Sequence, residues 1–245
     1  MRKLILFITA VITLGSSGLL HAQELTATEL LNSFDEMYRH ESSRAVMQMT
    51  IITPKYERKL KMQSLSFGTE YSLIKMLSPK KDKGIATLKQ QDQMWNFFPK
   101  INKVVKVPPS MMMSSWMGSD FTNDDLVQDE SLENDYLSSL VTSATEHKIT
   151  LIPHADTVTV WGKIELALTL DGLPIHAFYY DDNNVRKREI RYSDIQEING
   201  QLVPMKMELI PLNKPGQKTV MTYIELEFDV NVDEKDFSLR ALKKK

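Results

Sequence analysis

Apolar and polar residues alternate along most of this chain, and the alternation lapses in only a few stretches. Ala45, Met47, Met49 and Ile51 fall on one side of an extended segment, with Gln48 and Thr50 opposite. That is the period of a β-strand with one buried face. Tyr56 to Phe67 and Tyr71 to Leu77 follow as strands, joined by a turn at Phe67-Gly68-Thr69-Glu70. A charged connection over 79–84 leads to short strands at 85–89 and 93–98. A further strand through Val104, Val105 and Val107 is stopped by Pro108-Pro109. From about Thr145 the strands resume. Ile164, Leu166, Leu168 and Leu170 alternate with Lys163, Glu165, Ala167 and Thr169, and Val203, Met205, Met207 and Leu209 alternate with Lys206 and Glu208. Val220, Thr222, Ile224, Leu226 and Phe228 do the same against Glu225 and Glu227. Leu173–Tyr180 and Val185–Asp194 flank Asp181-Asp182-Asn183-Asn184, a polar hairpin turn, and Asn199-Gly200 and Lys214-Pro215-Gly216 supply further turns. About ten or eleven strands at hairpin spacing, with no βαβ rhythm, predict a mainly β, antiparallel architecture.

Helical spacing occurs at two places. Thr26-Ala27-Thr28-Glu29 has the form of a capping box. Leu30, Leu31, Phe34, Met37 and Tyr38 then fall on one stripe of a helix, with Asp35, Glu36 and Arg39 directed away. Residues 110–143 lack alternation and read as one or two short helices within long loops, Asn123 capping the first and Leu132 to Leu140 forming the second. Both helical pieces are expected to cover one face of the sheet.

The first 22 residues are a different kind of segment. Arg2 and Lys3 precede an apolar run from Leu4 to Leu14, and Leu20-His21-Ala22 places a small residue before a polar start at Gln23. That is the order of a cleavable export signal with cleavage after Ala22, and the run is shorter than the roughly 20 residues of a membrane span. The expected organisation is a signal peptide over 1–22 and one domain over 23–245, located in the periplasm. Losing the two leader cations takes the formal charge from −2 to −4, which speaks against a nucleic-acid partner. The chain has no cysteine, so the exit site carries no lipid-attachment thiol and neither disulfides nor thiol chemistry are available.

Catalytic patterns are lacking. His40, His147, His154 and His176 fall on separate segments, and no G-x-S-x-G, P-loop or G-x-G-x-x-G run occurs. The acidic run Asp124, Asp125, Asp129, Glu130, Glu133 and Asp135 lacks the glycine pivot of a calcium loop and reads as a solvated face. No enzyme activity, cofactor or metal is expected. The distinctive stretch is instead Met111, Met112, Met113, Trp116, Met117 and Phe121. Methionine is flexible and polarizable, which suits a lid over ligands of variable shape; a plain core helix explains the same residues equally well. Met47, Met49, Met62, Leu73, Trp95, Phe97, Met205 and Met207 add apolar positions on strands and complete the candidate lining of an apolar cavity or filled interior. Thioethers also suit Cu(I), but no histidine lies near Met111.

Several stretches in order resemble the LolA-like family of outer-membrane lipoprotein-sorting proteins. They are 93–100 before the Val104-Val105 strand, Met117-Gly118-Ser119-Asp120-Phe121 through Leu126, Leu173-Pro174 leading to Tyr179-Tyr180, Ile198-Asn199-Gly200 with Val203-Pro204, and 236–242. The Gly-Ser-Asp-Phe piece is similar to a larger, uncharacterised subgroup. The resemblance implies an unclosed antiparallel β-barrel with helices over its concave face. It also implies a monomeric carrier of lipid or lipoprotein acyl chains towards the outer membrane, with an inner-membrane RND-type or MMPL-type exporter and an outer-membrane acceptor as partners. The same fold resembles the sensing domain of RseB-type regulators, which implies a sensor bound to a membrane partner as the alternative. The role of Lys243, Lys244 and Lys245 stays open between a solvated tail and a contact with anionic lipid.

Overall fold

The computed structural model describes residues 25–38, 40–127, 132–157 and 159–244. The expected leader over 1–22 and its cleavage site lie outside the described residues. The chain begins with α1 (Ala27–Glu36), then β1 (Ser42–Ile52), β2 (Glu57–Phe67), β3 (Tyr71–Ser78), β4 (Ala86–Gln90), β5 (Gln93–Phe98) and β6 (Lys103–Lys106). Two short helices, α2 (Asp124–Val127) and α3 (Leu132–Asp135), precede β7 (Tyr136–Thr142), β8 (Glu146–Pro153), β9 (Lys163–Thr169) and β10 (Pro174–Tyr180). The chain closes with β11 (Arg186–Ile198), β12 (Gln201–Pro211), β13 (Lys218–Phe228) and α4 (Leu239–Lys243).

All thirteen strands form one sheet in the order β6-β5-β4-β3-β2-β1-β13-β12-β11-β10-β9-β8-β7. Every neighbouring pair is antiparallel. Two meanders, β1–β6 and β7–β13, are joined in the sheet by the ladder between β1 and β13. β6 and β7 are the free edges, so the sheet is an unclosed one. Turn chemistry follows the sequence. Asn199 and Gly200 both have positive φ, 51° and 84°, as a two-residue hairpin between β11 and β12 requires. At the β10–β11 turn the Asp181 carboxylate accepts from the Asn183 and Val185 amides at 3.0 and 2.9 Å, so this acidic loop is satisfied by its own backbone.

One face of the sheet is covered by two different means. α1 lies over the β7–β12 half. Thr26 Oγ1 accepts from the Glu29 amide at 3.2 Å, while the Glu29 carboxylate accepts from the Thr26 amide at 2.8 Å, the predicted capping box. Leu30 and Leu31 pack with Ile149, Leu151, Ile164, Leu166, Leu168 and Ile190 in an aliphatic core. The β1–β5 half is covered by the segment 108–127. That segment is mostly turns, with a single 3-10 turn at Pro109–Met111 and the short α2 where a first short helix within long loops was expected. On the outer face α4 and Phe237 pack against Leu73, Ala86, Leu88 and Phe97.

Two expectations about strands change. The helix read over 132–140 stops at Asp135, and β7 occupies Tyr136–Thr142. β7 is an edge strand with mostly exposed side chains, so it lacks the alternation that would reveal it. Within β13 a bulge opposite Val46 and Met47 leaves Ile224 without a partner. The phase therefore switches, and Met221 and Tyr223 rather than Val220 and Thr222 share the face of Leu226 and Phe228.

Leu31 is fully buried beneath α1. Leu31→Ala should lower stability by about 2–5 kcal/mol, read as a fall in the urea midpoint with an unchanged slope. A change below about 0.5 kcal/mol, the surface-substitution range, would mean that α1 is not docked there.

Candidate ligand-binding site

The register of β1, β2, β3 and β13 lays out the floor of the covered face in rows. Met47 stands opposite Met62 on β2 and Tyr223 on β13, and Met62 stands opposite Met76 on β3. The next row places Met49 between Leu60 and Met221, with Met207 beyond on β12. In the other direction the chemistry changes. Ala45, Ser64, Ile74 and Thr87 make one row, and Ser43, Ser66, Ser72 and Lys89 make the next. Half of the buried residues in this core are methionine, whereas the core under α1 has none among its buried members.

Where these rows meet, a cavity of about 290 Å³ opens. Met47, Met62, Met207 and Met221 line one part, and Ser43, Ser64, Ser66, Ser72 and Lys89 line the other. Tyr38, Tyr223, Trp116, Leu126 and Asp125 also border it. Tyr38 and Tyr223 stack at 5.0 Å between ring centroids, and the Tyr38 hydroxyl donates to the Pro204 carbonyl at 2.7 Å. Burial, with Tyr223 beside it, pushes the Tyr38 phenol well above its ordinary pKa.

The covering segment is fastened to the sheet rather than draped over it. Arg58 on β2 donates to the Met117 carbonyl at 3.0 Å and to Asp82 at 2.8 Å. Asp120 accepts from the Thr219 hydroxyl on β13 at 2.8 Å and from Gln217 at 2.5 Å, and its amide donates back to Thr219 Oγ1 at 3.0 Å. Arg188 on β11 donates to Asp125 at 2.7 Å and lies 4.1 Å from the Tyr179 ring and 4.5 Å from the Trp161 ring. Trp116 Nε1 donates to Thr87 Oγ1 at 3.1 Å, which in turn donates to Asn96 at 2.7 Å. Because Ile51 pairs with both Arg58 and Thr219, the first two fastenings sit at one end of the strands. The serine row sits at the other.

This placement sorts the expected lining. Met47, Met62, Trp116 and Met207 border the cavity. Met49 and Met205 belong to the same core, and Met112, Met117 and Phe121 pack against it. Met111 and Met113 do not: they are 51 % and 46 % exposed. Leu73, Trp95 and Phe97 are not brought to this face either. They lie under α4 on the outer side, because β3 and β5 are covered on both faces and Ile74, Met76 and Met94 hold the inner positions. An apolar run buried on both sides hides its phase. The acidic run is likewise not simply solvated, since Asp125 is a fastening. The serines and Lys89 were missed, although Ser64 and Ser66 continue the phase of Leu60 and Met62.

A family model described only as that of an uncharacterized protein matches residues 68–244. A DUF1329 family protein from Desulfovibrio piger superposes with TM-score 0.78 at 21% identity, over 88% of this chain and 97% of that one. A LolA superfamily protein from Nitrosomonas europaea gives TM-score 0.73 at 20% identity, over 89% and 99%. This chain belongs to the family whose model matches it, and its fold is LolA-like. A structure described as an outer membrane lipoprotein-sorting protein domain from Vibrio parahaemolyticus gives TM-score 0.75 at 17% identity, over 87% and 97%. No curated protein matches the sequence.

In this LolA-like fold one carboxyl beside the cavity wall is held away from its charged state. Burial and then the neighbouring Asp125 raise the Asp124 pKa above its ordinary value, against the pull of Arg188. The folded protein therefore binds that proton more tightly than the unfolded chain. The resulting stabilisation is present below the ordinary Asp pKa and is lost as pH rises through the elevated one. Asp124→Asn should raise the urea midpoint at about pH 7 and leave it unchanged at about pH 3, where both states are protonated. A destabilised variant at neutral pH would show that the Asp124 charge is favourable in the fold.

Proposed function

We propose that this protein is a non-catalytic carrier. It takes up the hydrophobic chain of a lipid or lipid-modified protein in the periplasm and delivers it towards the outer membrane. The observation that carries this is the methionine-walled cavity in one half of a sheet whose other half is filled with leucine and isoleucine. Exposing an acyl chain to water costs about 0.8 kcal/mol per CH₂. An apolar pocket removes that cost without any reacting group. Methionine walls repack around chains of different shape at little penalty.

At about 290 Å³ the cavity lies just below the roughly 300–1,000 Å³ of ligand pockets. The cargo in this closed form is one chain, and a bulkier cargo requires the segment 108–127 to be displaced. Export by the leader, work as a monomer, and exchange with an RND-type or MMPL-type exporter and an outer-membrane acceptor complete the proposal.

Ala45 is buried at the cavity wall between the serine and methionine rows. Ala45→Leu should fill that space and weaken displacement of a fluorescent fatty-acid probe by ~tenfold or more, with the fold retained by circular dichroism. Undiminished probe binding in a folded Ala45→Leu protein, or no probe binding by the unaltered protein, contradicts the proposal.

A further inference from the structure

An antiparallel sheet sends successive turns to opposite ends of its strands. In the β1–β6 meander the turns at 53–56, 79–85 and 99–102 lie at one end, and those at 68–70 and 91–92 at the other. The pairing of Ile52 with Lys218 brings the β12–β13 turn, 212–217, to the first end. Charge separates between the two ends. The first carries Lys55, Lys80, Lys81, Lys83, Lys100 and Lys214, all exposed. The turns of the other carry Glu70 and Asp92 and neither lysine nor arginine. The C-terminal segment climbs the outer face in the same direction. The Phe237 carbonyl accepts from Gln90, beside the 91–92 turn, at 2.6 Å. The Ala241 and Lys244 carbonyls accept from Lys75, towards the first end, at 3.1 Å. Exposed Lys243 and Lys244 therefore extend the basic surface.

The acids at the first end are already engaged. Asp82 is buried against Arg58 at 2.8 Å, Glu57 lies 3.0 Å from Lys59, and Asp120 is held by Thr219 and Gln217. Among the described residues no ion pair engages Lys55, Lys80, Lys81, Lys83 or Lys100. The whole chain has a formal charge of −2, so these lysines are segregated within an acidic protein. Large apolar side chains stand among them. Tyr56, Ile101 and Leu212, on three different turns, are 54 %, 68 % and 41 % exposed.

The turns span the eight neighbouring strands from β6 to β12, a width of about 30 Å at the usual strand spacing. Beyond them the β10–β11 turn, with Asp181 and Asp182, bounds the patch. Cations spread across such a width, with separate apolar tips between them, match a plane of anionic headgroups over an acyl boundary. A compact acidic patch on a protein would meet only part of this surface.

We infer that this end of the sheet docks on an anionic lipid surface, with the lysines at the headgroups and Tyr56, Ile101 and Leu212 in the interfacial layer. The surface lies outside the cavity and stands independently of the carrier reading.

Co-sedimentation of the protein with vesicles of phosphatidylcholine alone, and of phosphatidylcholine with about one-third phosphatidylglycerol, tests this. The anionic vesicles should bind ~tenfold or more tightly than the neutral ones, and added salt should weaken that binding. Each lysine near such a surface is worth about a fivefold factor, so Lys80→Gln, Lys81→Gln and Lys100→Gln together should weaken it ~hundredfold. Lys106→Gln, Lys148→Gln and Lys235→Gln together make the same change in net charge away from this end, and should weaken it no more than ~twofold. Ile101→Ser should weaken it by about fivefold. Equal binding of both vesicle types by the unaltered protein, or equal losses from the two triple variants, overturns the docking surface. Soluble poly-glutamate bound as tightly as the anionic vesicles, with Ile101→Ser without effect, overturns it in favour of an acidic protein partner.

Discussion

β1 and β13 lie side by side from the Ser43–Phe228 pair to the Ile52–Lys218 pair, and this ladder turns two meanders into one sheet. With it, the inner face becomes wider than one short helix can cover, since α1 runs only from Ala27 to Glu36. The remaining half must be covered by something else, and the connection between the two meanders is the chain available to do it. The path of residues 108–127 across the face follows from that constraint. The same crowding explains α4: the outer face of β3–β5 carries Leu73, Leu88 and Phe97, and the C-terminal segment buries them.

The two halves of the covered face differ in how they are filled. Under α1, leucine and isoleucine in well-defined rotamers give a close-packed interior. Under the 108–127 segment, methionines and a few short polar side chains leave a space. A loop stretched over such a space loses packing energy that hydrogen bonds must offset. Arg58, Thr219 and Arg188 supply those bonds from three separate strands, to the Met117 carbonyl, Asp120 and Asp125. Each is charge-assisted and shielded from water, so each is worth more than a surface pair. Fastening at several discrete points also differs from a continuous apolar seal, because the points can be released without unfolding the sheet beneath.

Much of this architecture was legible in the sequence. The capping box at Thr26, the Asn199-Gly200 turn and the alternation through β1, β9 and β12 specified their elements, because each stands with one face in water. Legibility failed where that condition failed. β3 and β5 are covered on both faces, so Leu73 and Phe97 looked equivalent to Met47 until the register assigned them to opposite sides. The bulge at Ile224 reversed the phase of β13 midway, and no local residue pattern announces that. β7 carried too little alternation to be seen, being an exposed edge. The candidate cavity was half visible: its methionines stood out, but serines at 43, 64, 66 and 72 looked like the polar side of a strand. Their phase with Met47 and Met62 placed them inside, and a hairpin register read from the 53–56 turn would have revealed it.

The central claim is that the methionine-walled space exists to hold a chain-bearing ligand. Native mass spectrometry of the protein isolated from the cells in which it is made tests this most directly. A carrier should arrive partly loaded, with one non-covalent amphiphile per chain that is released on activation. A protein found at its bare mass throughout, under conditions that keep lipid on a control carrier, would show that the space is an unfilled gap in the core and not a binding site.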